Sequence, residues 1–167
     1  MRFLILSIGV ILGIAIQATW LASMNLPGLV IPDFILIMVI SYGLLHGSDE
    51  GLIFGVLAGF LMDLLSGGLV GVQALSKMAA GFAAGFMEKN IFKDNLLVPA
   101  IAVFIGTLIF ESFNILMFVA FNANYQFGRT LISAIFPLAF YNALFAPLLY
   151  QFLLKLDHYF EQRASTL

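Results

Sequence analysis

The sequence predicts an all-α integral membrane protein, a single domain over residues 1–167 with six transmembrane helices. Three observations predict it. Hydrophobic residues fill 62% of the 167 positions and charged residues only 10%, whereas a soluble domain carries about 25% charge. Water would not solvate such a surface, and the mean hydropathy is +1.08. The apolar residues form six runs of near-spanning length, separated by polar or Gly/Pro-containing turns. The basic residues outside those runs are concentrated on one side of the topology they imply.

The expected spans are about 3–24, 30–45, 51–65, 70–87, 96–121 and 130–154. The first is longer than a signal-peptide apolar region of about 7–15 residues, and Ala22-Ser23-Met24 is a poor cleavage site, so it is expected to be retained. Trp20 sits where an indole suits the interface, and Asn25-Leu26-Pro27-Gly28 is turn chemistry. Pro32-Asp33 starts the second helix, since proline and an acid both suit a helix N-terminus. His46 to Glu50 reads as a polar loop with a helix start in it. Spans three and four are near the lower length limit, and are expected either to thin the bilayer or to sit deep among neighbours. Glu88 to Asn95 is the most charged connector, and Asn122 to Gly128 a polar turn. Span six contains Pro137 and Pro147, which neighbouring helices can accommodate in a membrane. Lys155 to Leu167 reads as a polar tail.

With the N-terminus inside, Arg2, Lys89, Lys93, Lys155 and Arg163 are cytoplasmic, against Arg129 alone outside. Both termini are therefore expected in the cytoplasm. The expected location is a plasma membrane.

Gly51, Gly55, Gly59 and Asp63 recur every fourth residue and form one stripe on a helix. After Ser66-Gly67-Gly68 a second small-residue stripe follows, Ala74, Lys77, Gly81, Ala84 and Gly85. Small faces let helix backbones approach closely in lipid, within one chain or across a dimer, so a homo-oligomer is a second use of the ladder. A membrane charge costs roughly 2.5–3.5 kcal/mol at the bilayer centre. Asp63, Lys77 and Glu111 fall at related depths in the outer half, with Gln17 and Asn142 at broadly similar level. Mutual neutralisation is expected, as Lys77–Glu111 or as Lys77–Asp63. Such a pair fixes helix register, binds a ligand or meets a partner's helix. Asp33 reads as a helix cap before a ligand contact.

Other function classes find little support. The net charge is −2 without a basic patch, so nucleic acid is not an expected partner. Without cysteine there is no thiolate nucleophile or Cys-bound metal, and His46 and His158 lack neighbouring ligands. No catalytic or phosphate-loop signature occurs. The sequence therefore predicts no enzyme, no metal and no cofactor. The eighteen phenylalanines read as core or lipid-facing bulk.

Pro32-Asp33 before an apolar span, the ladder Gly51-x3-Gly55-x3-Gly59, the turn Asp63-Leu64-Leu65-Ser66-Gly67 and the run Leu69 to Leu75 together resemble the MreD family of bacterial rod shape-determining proteins. Lys77 departs from the more neutral run expected there. The resemblance covers nearly the whole chain. It implies a component of the machinery for lateral peptidoglycan synthesis in the bacterial inner membrane. Its implied partners are MreC, MreB, a SEDS glycosyltransferase and a class B penicillin-binding protein. It implies a fold like the S-component of energy-coupling-factor transporters, and no catalytic residue. Pro32, Asp33, Asp63, Ser66 and Gly67 carry over as motif residues, structural or forming a partner groove. The leading reading is a scaffold that binds MreC through lateral helix surfaces. The alternative is a small-molecule-binding transporter subunit with a pocket near Asp63, Lys77 and Glu111.

Overall fold

The structure, a computed structural model, describes residue 13 and residues 31–66, 69–88, 97–121 and 135–164. The described residues are all-helical. They form α1 (Phe34–His46), α2 (Ser48–Ser66), α3 (Val72–Gly85), α4 (Leu97–Phe121) and α5 (Phe136–Ala164). The expected first span lies outside the described residues except for Gly13, whose Cα side faces Ile35. Gln17, Gly67 and Arg129 also lie outside them.

The centre of the bundle is α1. Every residue from Ile35 to Leu45 is buried, and α1 touches all four other helices. Its sequence explains this, because an evenly apolar helix has no face to offer water and is stable only when surrounded. The Gly51–Gly85 hairpin, which the small-residue stripes single out, packs on this helix rather than forming the middle of the bundle itself.

That hairpin is α2 and α3. Gly51, Gly55 and Gly59 of α2 lie directly against the backbone of Gly81, Lys77 and Gln73 of α3, and a methyl group at any of the three would overlap it. Gly85 meets the Gly47–Ser48 backbone in the same way, and Gly43 brings α1 onto Gly81. The glycine ladder is thus packed within the chain, backbone against backbone.

Between α1 and α2 the expected helix start is present, at Ser48, and the expected polar loop is shortened. Gly47 alone separates the helices, with φ of 93°. That left-handed value strongly favours glycine. The turn is this short because Tyr42 donates its hydroxyl to Glu50 across it (3.2 Å), and Gly51 N–H donates to the Gly47 carbonyl (3.0 Å).

The expected polar tail is also corrected. From Lys155 to Ala164 the chain continues α5. Leu153 is buried and Leu154 packs on the core, and Asp157 is held by His46 of α1. These contacts reward one more stretch of helix over a solvated coil. Pro147 lies inside α5.

Two helices are long and apolar enough to cross a membrane, over Leu97–Met117 and Phe136–Tyr159. By contrast α1 has 13 residues and α3 has 14, about 20 Å each at 1.5 Å per residue, short of a bilayer core of about 30 Å. The start of α1 is buried at Pro32 and Asp33, while that of α3 lies nearer the surface, beside the exposed Leu69 and Val70. Ile53, Leu57, Phe60 and Leu64 of α2, and Leu144, Leu148 and Phe152 of α5, are exposed at helical spacing, as lipid-facing stripes are.

Gly55→Val is expected to lower the thermal stability of the detergent-solubilised protein by at least the roughly 1–3 kcal/mol typical of overpacking. Leu57→Val on the exposed stripe of the same helix is expected to change it by less than about 0.5 kcal/mol. Paired thermal-unfolding curves check both; equal curves would show that the helices do not meet at Gly55.

Candidate functional site

Asp33 stands just before α1. Its Oδ1 accepts from Leu36 N–H at 2.9 Å, capping the helix. Its Oδ2 accepts from Lys77 Nζ of α3 at 2.8 Å. Its own N–H donates to Asn142 Oδ1 of α5 at 2.8 Å. Asn142 Nδ2 in turn donates to Thr107 Oγ1 of α4 at 3.1 Å, and Thr107 donates to the Val103 carbonyl at 2.8 Å. One residue thus links α1, α3 and α5 directly, and α4 through Asn142. Pro32, buried beside it, restricts the backbone on which Asp33 is presented.

Lys77 is fully buried. A helical side chain leans toward its own N-terminus, so the Lys77 stem runs back along α3. There Nζ also donates to Gln73 Oε1 at 3.0 Å and lies 4.2 Å from the centre of the Phe110 ring. The ammonium has a carboxylate, an amide oxygen and a π face, a complete shell for a buried cation.

This geometry replaces both expected pairings. Among the described residues Lys77 pairs with neither Glu111 nor Asp63; its carboxylate is Asp33. Asp63 is already occupied. Its Oδ2 accepts from Gly71 N–H at 2.8 Å and Ala74 N–H at 3.2 Å, and its Oδ1 from Gln73 N–H at 3.0 Å. Asp63 of α2 therefore caps the N-terminus of α3, where Gly71 with φ of 103° supplies no side chain to do so. Its negative charge sits at the positive end of that helix. Ser66 Oγ donates to the Asp63 carbonyl at 3.3 Å, closing the last turn of α2. Glu111 is half-buried on α4, with Asp33 and Lys77 as the charged groups acting on it. It makes no ion pair with another described residue.

A second polar group lies at the other end of α1. His46 Nε2 stands 2.8 Å from Asp157 Oδ2 of α5, and His46 Nδ1 is 3.1 Å from the Tyr42 carbonyl. The Tyr42 and His46 rings are 4.2 Å apart. Sequence reasoning left His46 isolated, and no local signal joins it to a residue so distant in the chain. Among the described residues no three of His, Asp and Glu converge as a metal site.

The acids of this region thus serve helix starts and a buried lysine, and the arrangement holds helix positions. A profile of the rod shape-determining protein MreD matches residues 1–160, nearly the whole chain and all of the residues described above up to the last turn of α5. The chain belongs to the MreD family. No curated protein and no solved structure matches it. Membership makes it a membrane protein with a role in rod-shape determination. It gives the family resemblance of Pro32-Asp33 and of the Asp63 turn a physical content, since both acids cap helix starts.

Lys77→Met is expected to destabilise the protein by about 3–5 kcal/mol, the cost of leaving a buried partner charge alone. Asp33→Asn keeps the cap but loses the charge. The double variant should be markedly more stable than the sum of the two losses, as contacting residues couple. A thermal-unfolding cycle in detergent measures this, and additivity would refute the pair. Asp63→Ala should cost at least the 0.5–2 kcal/mol of about one lost cap, with the α3 amide hydrogens at Gln73 and Ala74 exchanging faster.

Proposed function

We propose that the protein is a non-enzymatic scaffold of the cell-wall elongation complex. In this reading it binds MreC and, through it, MreB, a SEDS glycosyltransferase and a class B penicillin-binding protein. It is a multi-pass protein of the inner membrane with six spans in one domain, both termini in the cytoplasm and a fold of the S-component kind. The five described helices supply the second to sixth spans, and residues 3–24 the first.

Family membership over residues 1–160 carries this reading. The chemistry of the bundle supports it. Asp33, Asp63 and Lys77 are consumed by one another and by backbone N–H groups, so they hold a shape rather than wait for a reactant. What the bundle offers to partners is its apolar sides, such as Ile53 to Leu64 on α2 and Leu144 to Phe152 on α5. Surfaces of this kind bind lipid or other membrane helices.

The ligand-binding alternative would use the N-termini of α1 and α3, since broken helices direct such ends at anionic substrates. Here each end already has an acid on it, Asp33 on one and Asp63 on the other. That occupancy favours the scaffold.

Depleting the protein in a rod-shaped host is expected to round the cells and disperse lateral wall insertion. Tagged protein is expected to retain MreC through detergent purification. Microscopy with a fluorescent wall precursor and immunoblotting of the eluate are the measurements. Rods that keep their width with the protein gone would end the proposal.

A further inference from the structure

His46 is the last residue of α1, and both nitrogens of its ring face acceptors. Nδ1 is 3.1 Å from the Tyr42 carbonyl, which can only accept a hydrogen bond. Nε2 is 2.8 Å from Asp157 Oδ2, and an ionised carboxylate likewise only accepts. A neutral imidazole has one N–H and can satisfy one of these two oxygens, whereas the imidazolium has an N–H for each. The contact is therefore complete only when the ring is protonated. Taking the proton away sets a ring lone pair against an oxygen lone pair, at Tyr42 or at Asp157. The sign follows: the contact is whole on the acid side and is weakened as the pH rises.

The groups around the ring suit a positive charge. On α1 itself the Tyr42 ring lies 4.2 Å away, and aromatic rings attract cations to their faces. The last turn of α1 also places the negative end of the helix dipole there. From α2, Glu50 accepts from the Tyr42 hydroxyl at 3.2 Å, while Asp49 is exposed. Glu88 follows α3, and its Oε2 reaches the side of Gly47, the residue after His46. From α5 comes Asp157, with Lys155 and His158 of the same helix exposed. Acids thus come to this end of α1 from three other elements.

Asp157 lies in the stretch of α5 that follows its anchorage in the core. Leu153 is buried and Leu154 packs on the core, and the helix continues to Ala164. The His46 contact therefore ties the end of α5 to the enclosed central helix at a point where a single proton can alter the tie and leave the core untouched. We infer that His46 is a proton-operated clasp, which fastens the end of α5 to α1 when its ring is protonated and loosens that end when the proton leaves.

The test uses the full chain in lipid nanodiscs. The sequence has no cysteine and two histidines, so H158C supplies one labelling site and leaves His46 as the single histidine. A nitroxide on that cysteine reports the motion of the α5 end. Between about pH 5 and pH 8, where an ordinary histidine changes charge, the ratio of mobile to immobile spectral component is expected to rise about 10-fold, the worth of one charge-assisted hydrogen bond. Nitrogen NMR of isotope-labelled histidine should show both ring nitrogens protonated while the label is immobile, and one of them once it is freed. With H46Q or D157N added, the label should already be mobile at the low pH and show no further response. A label equally immobile across the range overturns the inference. A pH response that survives H46Q or D157N does the same, since another group would then carry the proton. An immobile label beside a singly protonated ring also overturns it. If H46Q does not accumulate, D157N decides.

Discussion

A carboxylate at the buried start of a helix needs neutralising, and most of this bundle is arranged around doing so for Asp33. The N-terminus of α1 is buried at Pro32 and Asp33, against α3 and α5. Its free N–H groups need an acceptor, and Asp33 provides one. The acid then needs a cation, which Lys77 supplies from α3. Asn142 accepts the remaining N–H and passes the contact on to Thr107. Each group answers a need created by the one before it, so the four helices share one register at this level.

That chain of contacts depends on how closely α2, α3 and α1 approach. Glycines at 43, 51, 55, 59 and 81 remove the side chains that would hold the backbones apart. Close approach places Asp63 against the start of α3 and lets it cap a helix to which it does not belong. The two acids therefore do the same job at two helix starts. One acts within its own helix and the other from across the turn. A polar interior built this way has little capacity left for a substrate, which is why the sides of the bundle are the better place to look for its action.

Much of this was legible in the residues. The apolar runs identified the helices, because lipid-facing and core positions both exclude charge. Pro32-Asp33 marked a helix start, and the four-residue glycine spacing marked a packing stripe. The partner of Lys77 was not legible. Asp63 and Glu111 were the acids expected near its depth, and spacing along one helix says nothing about which neighbouring helix stands closest. His46 and Asp157 were unreadable for the same reason, with the added obstacle that the end of α5 looks like a solvated tail. The loop at Gly47 looked longer than it is, because Glu50 and His46 are held by residues outside it, Tyr42 and Asp157.

By itself, then, the sequence determined the class, the helical stripes and the family, since periodicity and composition are local properties of the chain. Only the tertiary structure decided that α1 is the centre, that Asp63 caps α3, that Lys77 belongs to Asp33 and that Glu111 is left over. Those outcomes follow from competition among several acids for one lysine and two helix ends. Such a competition is settled by distances between helices, and those distances exist only once the glycine faces have met.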